Sequence, residues 1–248
     1  MGFDAIARLN PNLNVWIPDP GEVVELPTQY ILPDGEHRGL VVNVPEMRIY
    51  DYTHGTTPEL YAIAIGDEAD PSLYGKFKVG PKRKSPAWYV PASIRAERPE
   101  LPAVVPAGDE NPLGTRWMTI GSTSYGIHGT NNDWSIGRTA THGCIRLYND
   151  EVERLYERVP SGTPLLLEYQ PVKVGRLGRG IYVEAHPDIY GRVPDRAGVA
   201  LRRLSDLGLL ESVDVPTVER VVEEARGTPE RVGTLPDAPE VVTSKPAS

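Results

Sequence analysis

Two short stretches, Tyr125-Gly-Ile-His-Gly-Thr130 and Thr141-His-Gly-Cys-Ile-Arg-Leu147, decide how this chain is interpreted. Cys144 is the only cysteine among the 248 residues, so it cannot form a disulfide within the chain. His128, which is followed by a glycine, stands sixteen residues before it. A thiolate is a strong nucleophile, and a nearby histidine can take the proton of the thiol. The pattern therefore predicts a cysteine nucleophile with a histidine base.

Glycines flank both of these residues. Gly143 places no side chain beside the sulfur, and it can adopt a positive φ that would turn the amides of residues 143 and 144 toward a developing oxyanion. Gly129 would let the backbone pass close to the His128 ring, where a carbonyl could fix the tautomer of the imidazole. We therefore predict that Gly143 and Gly129 support the site.

Two further polar residues lie two positions away from the cysteine. On a strand, alternate residues share a face, so His142 and Arg146 would lie on the same side as the Cys144 sulfur. His142 therefore competes with His128 for the role of base. The guanidinium of Arg146 is shaped to hold a carboxylate in a bidentate grip, and a solvated surface charge is the alternative for this residue.

The same residues resemble the signature of the YkuD family of L,D-transpeptidases (ErfK/YbiS/YcfS/YnhG-like members), in which a histidine and a short spacer precede [Ser/Thr]-His-Gly-Cys. Here the spacer covers residues 129–140, and Thr141 stands at the Ser/Thr position. The resemblance implies that Cys144 is the nucleophile and that His128 is the base. It leaves His142 to shape the site or to contact the substrate.

The resemblance also implies a bacterial cell-wall enzyme that acts on the tetrapeptide stems of peptidoglycan. Cys144 would attack the carbonyl between diaminopimelate and D-alanine and form a thioester. An amine of a second stem, of an envelope lipoprotein or of a D-amino acid would then resolve the thioester. Arg146, Trp88 and Tyr125 are the candidates for binding the substrate. No cofactor is expected, and carbapenems are the expected inhibitors.

Two alternatives stay open. Water could resolve the same thioester, which would make the protein an L,D-carboxypeptidase or an amidase. A non-catalytic peptidoglycan-binding protein is the other alternative, and the intact pair of Cys144 and His128 argues against it. The remaining histidines, His37, His54 and His186, lack the spacing of metal ligands, so we expect them to be structural and we expect no metal site.

Composition narrows the class of protein. The formal net charge of −8 argues against binding to nucleic acid or to an anionic membrane. No run approaches the roughly 20 apolar residues that span a bilayer. No signal peptide is visible near Met1. Because a cell-wall enzyme works outside the cytoplasm, we expect a periplasmic or cell-envelope protein whose chain is truncated or mis-started here.

The sequence predicts a mainly β fold, because its 24 glycines and 25 prolines favour turns and short strands. The resemblance makes this a YkuD-type β-sandwich catalytic domain with few helices, followed by a small α-containing C-terminal extension. The predicted units are a partial LysM-like segment (1–32), the catalytic domain (39–170), a strand with helices (171–227) and a disordered tail (228–248).

Local patterns predict the main elements. The N-terminal segment resembles the second half of a LysM module, and this resemblance implies a helix that ends at Asn10-Pro11 and a strand that ends at Leu26-Pro27. Asn149 is a good N-cap for a helix that reaches Val159. A Pro-rich excursion at 80–114 would form a lid whose Trp88 packs on the substrate, with ordinary aromatic packing as the alternative. The predicted strands of the catalytic domain are 40–44, 47–52, 60–65, 75–79 and 165–167.

Overall fold

Strands dominate the chain, and a computed structural model describes residues 1–236. Those residues contain fifteen strands and five α-helices. The strands are β1 (Leu40–Asn43), β2 (Arg48–Asp51), β3 (Glu59–Ala62), β4 (Ile65–Gly66), β5 (Gly75–Lys84), β6 (Trp88–Tyr89), β7 (Val104–Val105), β8 (Arg116–Ile120), β9 (Gly126–His128), β10 (Thr139–Thr141), β11 (Ile145–Arg146), β12 (Pro164–Glu168), β13 (Val172–Leu177), β14 (Gly180–Ala185) and β15 (Glu230–Thr234). The helices are α1 (Phe3–Leu9), α2 (Ala92–Glu97), α3 (Asn149–Arg158), α4 (Arg196–Asp206) and α5 (Val215–Glu224). The prediction of a mainly β fold with few helices is confirmed.

One large sheet carries most of the fold. Among the described residues, eight strands join it in the order β11-β9-β8-β5-β12-β1-β2-β3. Strand β5 belongs to two halves of this sheet, because residues 75–78 pair with β12 and residues 79–84 pair with β8. The predicted strand end at Val79 is therefore wrong, since backbone pairing continues to Lys84 after a shift in register.

The other predicted strands of this domain form with small changes. The predicted strands 40–44 and 47–52 are confirmed as β1 and β2, which form an antiparallel hairpin with Val41 opposite Tyr50. The predicted strand 60–65 is split, since β3 ends at Ala62 and β4 begins at Ile65 to pair with β10 in a separate sheet. The strand predicted at 165–167 is the centre of β12.

Apolar side chains from both halves of the large sheet meet helix α3 in one core. Helix α3 is amphipathic, and its Val152 and Leu155 are buried against the sheet. Ile127 of β9 and Ile145 of β11 belong to the same cluster. Burial of such side chains stabilises the folded state by about 25 cal/mol per Å² of apolar surface removed from water. The core therefore anchors the two short strands that carry the sequence motifs.

The C-terminal part has a smaller core of its own. Strands β13, β14 and β15 form a three-stranded sheet, and α4 and α5 pack on it. The predicted disorder from residue 228 is wrong for residues 230–234, because β15 pairs with β14 and places Glu230 opposite Val183. The rest of the predicted tail, residues 237–248, lies outside the described residues. None of the helices between residues 1 and 236 is long and apolar enough to cross a membrane.

The N-terminal segment follows the prediction only in its helix. Helix α1 ends at Leu9, immediately before Asn10-Pro11. The predicted strand ending at Leu26-Pro27 is wrong, because this stretch forms no strand pairing. Instead, the Asn10 side chain accepts a hydrogen bond from the Glu25 amide and donates one to the Glu25 carbonyl, each at 2.8 Å. The LysM resemblance of residues 1–32 stays a prediction.

Candidate active site

A cleft of about 1050 Å³ brings the two motif stretches together. Cys144 and His128 both line it. The other predicted site residues that line it are His142, Arg146, Tyr125 and Trp88. The pairing of β9 with β11 explains this convergence, because these parallel strands place His128 opposite Arg146. Cys144 directly precedes β11, and His128 is the last residue of the neighbouring strand β9.

The conformation of the loop before Cys144 depends on Thr141 and Gly143. The Thr141 hydroxyl donates a hydrogen bond to the Cys144 carbonyl at 2.7 Å, which closes the turn around His142 and Gly143. Gly143 has a φ of +92°, as the sequence predicted it could, and a Cβ there would lie 2.6 Å from Tyr125 Cε1. A side chain at position 143 is therefore excluded both by strain and by the tyrosine ring.

His128 is almost fully buried, and its orientation is fixed on two sides. Its Nδ1 lies 2.7 Å from the Gly129 carbonyl oxygen. A carbonyl can only accept, so Nδ1 carries the proton and Nε2 of the neutral ring carries the lone pair. The Trp117 indole stacks on the imidazole, with the ring centroids 5.6 Å apart. The sequence predicts a backbone carbonyl as the partner of this histidine, and in the structure it is the carbonyl of Gly129.

Electrostatics keep both reacting groups uncharged at rest. Burial, reinforced by the Arg146 charge, lowers the pKa of His128 to about 3, against hydrogen bonds with the Gly129 and Leu113 backbone that raise it. Burial also raises the pKa of the Cys144 thiol, while the Gly126 backbone and the Arg146 charge act in the opposite sense. At neutral pH the cleft therefore holds an uncharged thiol and a neutral imidazole rather than a preformed ion pair.

His142 lies apart from the buried pair. Its side chain is 41% exposed, and its Nε2 lies 3.4 Å from Glu97 Oε2 on helix α2. Asp70 completes a group of three exposed side chains whose ligand-capable atoms lie within 4.8 Å of one another. His142 thus touches the excursion that covers the cleft, whereas His128 lies at its floor. This placement favours His128 as the base.

Arg146 brings a positive charge to the lining of the cleft. Its backbone forms a bridge with Ala64 that holds the end of β11, and its side chain lines the cleft. The Nε atom is buried and has no hydrogen-bond partner among residues 1–236. Burial lowers the pKa of this guanidinium, which shows that the charge lies in a poorly solvated position. A substrate carboxylate would supply the missing acceptor.

The excursion at 80–114 forms one wall of the cleft, as a lid would. It contains the pair β6 and β7 and helix α2, and it contributes Trp88 to the lining. Asn111 holds it in shape, because its Nδ2 donates to the carbonyls of Pro86 at 2.9 Å and Pro106 at 3.0 Å. Whether Trp88 contacts a substrate or only packs within the lid stays a prediction.

Sequence patterns missed four residues that shape this site. They are Trp117, which stacks on the histidine, Thr141, which closes the nucleophile loop, Glu97, which meets His142, and Asn149, which contacts the backbone after His128. Thr141 alone carried a signal, since the motif restricts its position to Ser or Thr. The predicted role of Asn149 as an N-cap is wrong, because Tyr148 occupies that position without a side-chain cap.

Comparisons with known proteins agree with this geometry. YbiS, a probable L,D-transpeptidase of Escherichia coli strain K12, is 40% identical over 193 residues, which cover 75% of this chain and 63% of that protein. YcfS of the same strain, also a probable L,D-transpeptidase, is 36% identical over 207 residues, 79% of this chain and 64% of that protein. The chain thus spans less than two thirds of the length of these relatives.

One solved structure is similar to about half of the chain at low identity. L,D-transpeptidase 3 from Mycobacterium tuberculosis, in complex with a faropenem-derived adduct, is 15% identical with a TM-score of 0.41. The match covers 53% of this chain and 60% of that one. The profile of the YkuD family, the L,D-transpeptidase catalytic domain, matches residues 37–174. This match covers more than half of the chain and contains both motif stretches, and the chain therefore belongs to the YkuD family of L,D-transpeptidase catalytic domains.

Proposed function

We propose that the protein is an L,D-transpeptidase that acts on peptidoglycan tetrapeptide stems through a thioester on Cys144. The observation that carries this proposal is the shared cleft, in which Cys144 lies with a buried histidine whose Nδ1 proton is already engaged. A neutral ring with its proton at Nδ1 carries its lone pair at Nε2, where it can accept one proton. Membership in the family makes acyl transfer the chemistry for which such a pair is used.

The reaction has two balanced steps. In the first, Nε2 of His128 takes the thiol proton while Sγ of Cys144 attacks the carbonyl between diaminopimelate and D-alanine. The C–N bond then breaks, D-alanine leaves with the proton from the imidazolium, and a thioester remains. In the second, an amine attacks the thioester, gives its proton to Nε2, and releases the thiol as an amide forms.

Other residues would stabilise and orient the substrate. The positive φ of Gly143 sets the direction of the backbone just before the nucleophile, so the amides of residues 143 and 144 are the candidates for the oxyanion site. Arg146 would hold a stem carboxylate, and Trp88 and Tyr125 would line the path of the stem. The cleft volume of about 1050 Å³ lies at the upper end of the usual range for small-molecule sites, about 300–1,000 Å³.

The nature of the acceptor sets the product. A second stem would give a 3-3 crosslink, while an envelope lipoprotein or a D-amino acid would give an attached protein or an exchanged terminus. Water would make the protein a carboxypeptidase or an amidase. All of these reactions take place at the cell wall, so we place the protein in the periplasm or cell envelope.

Intact-mass spectrometry tests the proposal. The protein is incubated with a tetrapeptide-stem muropeptide and, in a separate sample, with a carbapenem, and Cys144→Ala is treated in parallel. We expect an acyl adduct on the wild-type protein alone, together with free D-alanine and a dimeric muropeptide. A tripeptide product without a dimer would assign hydrolysis instead. Folded wild-type protein that forms no adduct and turns over no stem would reject the enzymatic function and leave a binding protein.

A further inference from the structure

The side chain of Asn149 is turned back from helix α3 toward the strand that carries His128. Its Oδ1 accepts hydrogen bonds from the Thr115 amide at 3.1 Å and from the Thr130 amide at 3.2 Å. Its Nδ2 donates to the Thr130 carbonyl at 2.7 Å. The side chain is thus bound to two separate backbone segments, both of which border the cleft.

One of these bonds reaches the peptide group that orients the histidine. The Gly129 carbonyl, which accepts from Nδ1 of His128, belongs to the same peptide group as the Thr130 amide, which donates to Asn149. A peptide group is planar, so fixing its N–H also fixes the direction of its C=O. Asn149 therefore acts on the imidazole ring at a distance of one peptide group.

The packing around Asn149 explains two glycines. A Cβ at Gly129 or at Gly114 would lie 2.2 Å from Asn149 Oδ1, so a side chain at either position would displace the amide. From the sequence, Gly129 is predicted to let the backbone pass close to the His128 ring. In the structure the space beside Gly129 is needed by Asn149, and this reason replaces the earlier one.

We propose that Asn149 is a positioning residue that holds His128 in the Nδ1–H tautomer, the form that can accept the Cys144 proton at Nε2. The inference rests on the proposed function for its catalytic consequence. Without Asn149 the Gly129–Thr130 peptide is free to rotate, and Nδ1 loses its fixed acceptor. The ring then also populates the Nε2–H tautomer, which has no lone pair at Nε2 to receive the thiol proton.

The chain offers a matched control for the effect of Asn149 on stability alone. The buried Asn43 makes the same pair of bonds to one backbone residue, because its Oδ1 accepts from the Gln170 amide at 2.9 Å and its Nδ2 donates to the Gln170 carbonyl at 3.0 Å. Asn43 lies in β1 and does not line the cleft. Loss of either side chain removes a comparable set of hydrogen bonds, but only one of them leads to His128.

The experiment compares Asn149→Ala, Asn149→Asp and Asn43→Ala by two measurements. The first is the nitrogen NMR spectrum of histidine-labelled protein, in which the His128 signals are identified by their loss in His128→Gln. The second is the pair kcat and KM for thioester formation with the tetrapeptide stem. For Asn149→Ala we expect mixed tautomers at His128, an unchanged KM and a kcat lower by about 10- to 100-fold, the usual cost of losing an orienting group.

The other variants separate positioning from general structural support. Asn149→Asp keeps the acceptor for the Thr130 amide, so we expect the Nδ1–H tautomer and a kcat above that of Asn149→Ala. It also covers the case in which the alanine variant does not fold. Asn43→Ala should unfold more easily and keep both the tautomer and kcat. A pure Nδ1–H signal in folded Asn149→Ala, or mixed tautomers in Asn43→Ala, would overturn the inference. If the wild-type protein acylates no stem, the proposed function fails while the tautomer measurement still decides this inference.

Discussion

Two buried histidines, His128 in the cleft and His186 directly after strand β14, show two ways of burying a titratable group. Burial lowers the pKa of both. His186 has a carboxylate partner, because its Nε2 lies 2.9 Å from Glu184 Oε1. His128 has a backbone carbonyl and a tryptophan face instead. In the first arrangement a ring nitrogen is hydrogen-bonded to a carboxylate, and in the second Nδ1 is hydrogen-bonded to a backbone carbonyl while Nε2 carries the lone pair.

The surroundings of His186 extend this contrast. Lys173 is 1% exposed, and its Nζ lies 2.9 Å from both Glu46 Oε2 and Glu184 Oε1. The same ammonium donates to the Ile31 carbonyl at 2.6 Å. This charge cluster, made of Glu46, Lys173, Glu184 and His186, thereby joins the large sheet, the C-terminal sheet and the segment that precedes β1. Glu46, Glu184 and His186 lie close enough together to bind a metal ion. In this structure the Lys173 ammonium supplies the positive charge at that place.

The cleft and the charge cluster therefore differ in whether their buried cation is paired with carboxylates. In the cluster, Lys173 pairs with both carboxylates, which is the normal condition for buried charges. In the cleft, the Nε of Arg146 has no partner within residues 1–236, and the thiol of Cys144 is held uncharged by burial. Buried groups that lack partners and face a cavity are candidates for chemistry. The two regions can be tested against each other by matched substitutions.

The largest effect is expected from His128→Gln. Because this removes the buried histidine that we propose as the base, acylation of Cys144 by a tetrapeptide stem should fall at least about 10³-fold. The matched variant His186→Gln should acylate at nearly the wild-type rate. Stopped-flow or quenched intact-mass measurement of acyl-enzyme formation gives both rates, and equal losses in the two variants would remove the distinction between the two histidines.

His128→Gln should also change how stability depends on pH. A histidine whose pKa is about 3 in the folded state and near 6.5 in the unfolded state binds its proton first in the unfolded chain. It contributes stability above pH 6.5 that is lost as the pH falls toward 3. His128→Gln should therefore flatten the fall in the free energy of unfolding across that window, as measured by urea titrations at several pH values.

Lys173→Met should have the largest effect on stability. It leaves Glu46 and Glu184 buried without their shared cation, and breaking a buried ion pair in this way costs about 3–5 kcal/mol. Urea unfolding at pH 7 measures the loss, and acylation per folded molecule should be unchanged because the cluster lies outside the cleft. Glu184→Gln added to Lys173→Met removes one of the stranded charges and should recover part of the loss. A change below about 1 kcal/mol in Lys173→Met would show that the cluster is not the stabilising unit described here.

The contrast also shows what sequence could predict. Local patterns predicted the motif residues Cys144 and His128 and the β-rich domain, because strand alternation and motif spacing involve residues that are close in sequence. The charge cluster did not, since Glu46, Lys173 and Glu184 meet only through pairing of distant strands. The role of Asn149 was hidden for the same reason. Its position after a strand suggests a helix cap, and only the tertiary contact with Thr130 gives its side chain another partner.

Arg146→Gln tests the unpartnered charge in the cleft. The Arg146 charge lowers the pKa of both Cys144 and His128, so its removal should raise both. We expect the midpoint of Cys144 alkylation by iodoacetamide to move to higher pH and the rate at pH 8 to fall by about tenfold, following the smaller thiolate fraction. Stability should hold or increase, because a poorly solvated charge is lost. An unchanged alkylation profile would show that Arg146 acts on the substrate alone.

The smallest effect concerns Glu168, a carboxylate beside the charge cluster that breaks its pattern. Its Oε2 accepts from Gln170 at 2.8 Å, but its buried Oε1 has no partner in the described chain. Burial, reinforced by Asp34 and Glu46, raises its pKa to about 7 against the Gln170 hydrogen bond. A raised pKa in the folded state means that its stability contribution is complete below the unfolded value near 4.5 and is lost as the pH rises through 7.

Glu168→Gln should therefore stabilise the protein at pH 8 by about 1 kcal/mol and change little at pH 5, which paired thermal unfolding curves would show. Equal shifts at both pH values would mean that the carboxylate is neutral throughout or solvated throughout. Glu168 also limits the rule drawn from the two histidines. It has an unpartnered buried atom and a displaced pKa, as the cleft residues have, yet it does not line the cleft. Access to the cleft is what separates Cys144 and Arg146 from a carboxylate whose burial only lowers stability.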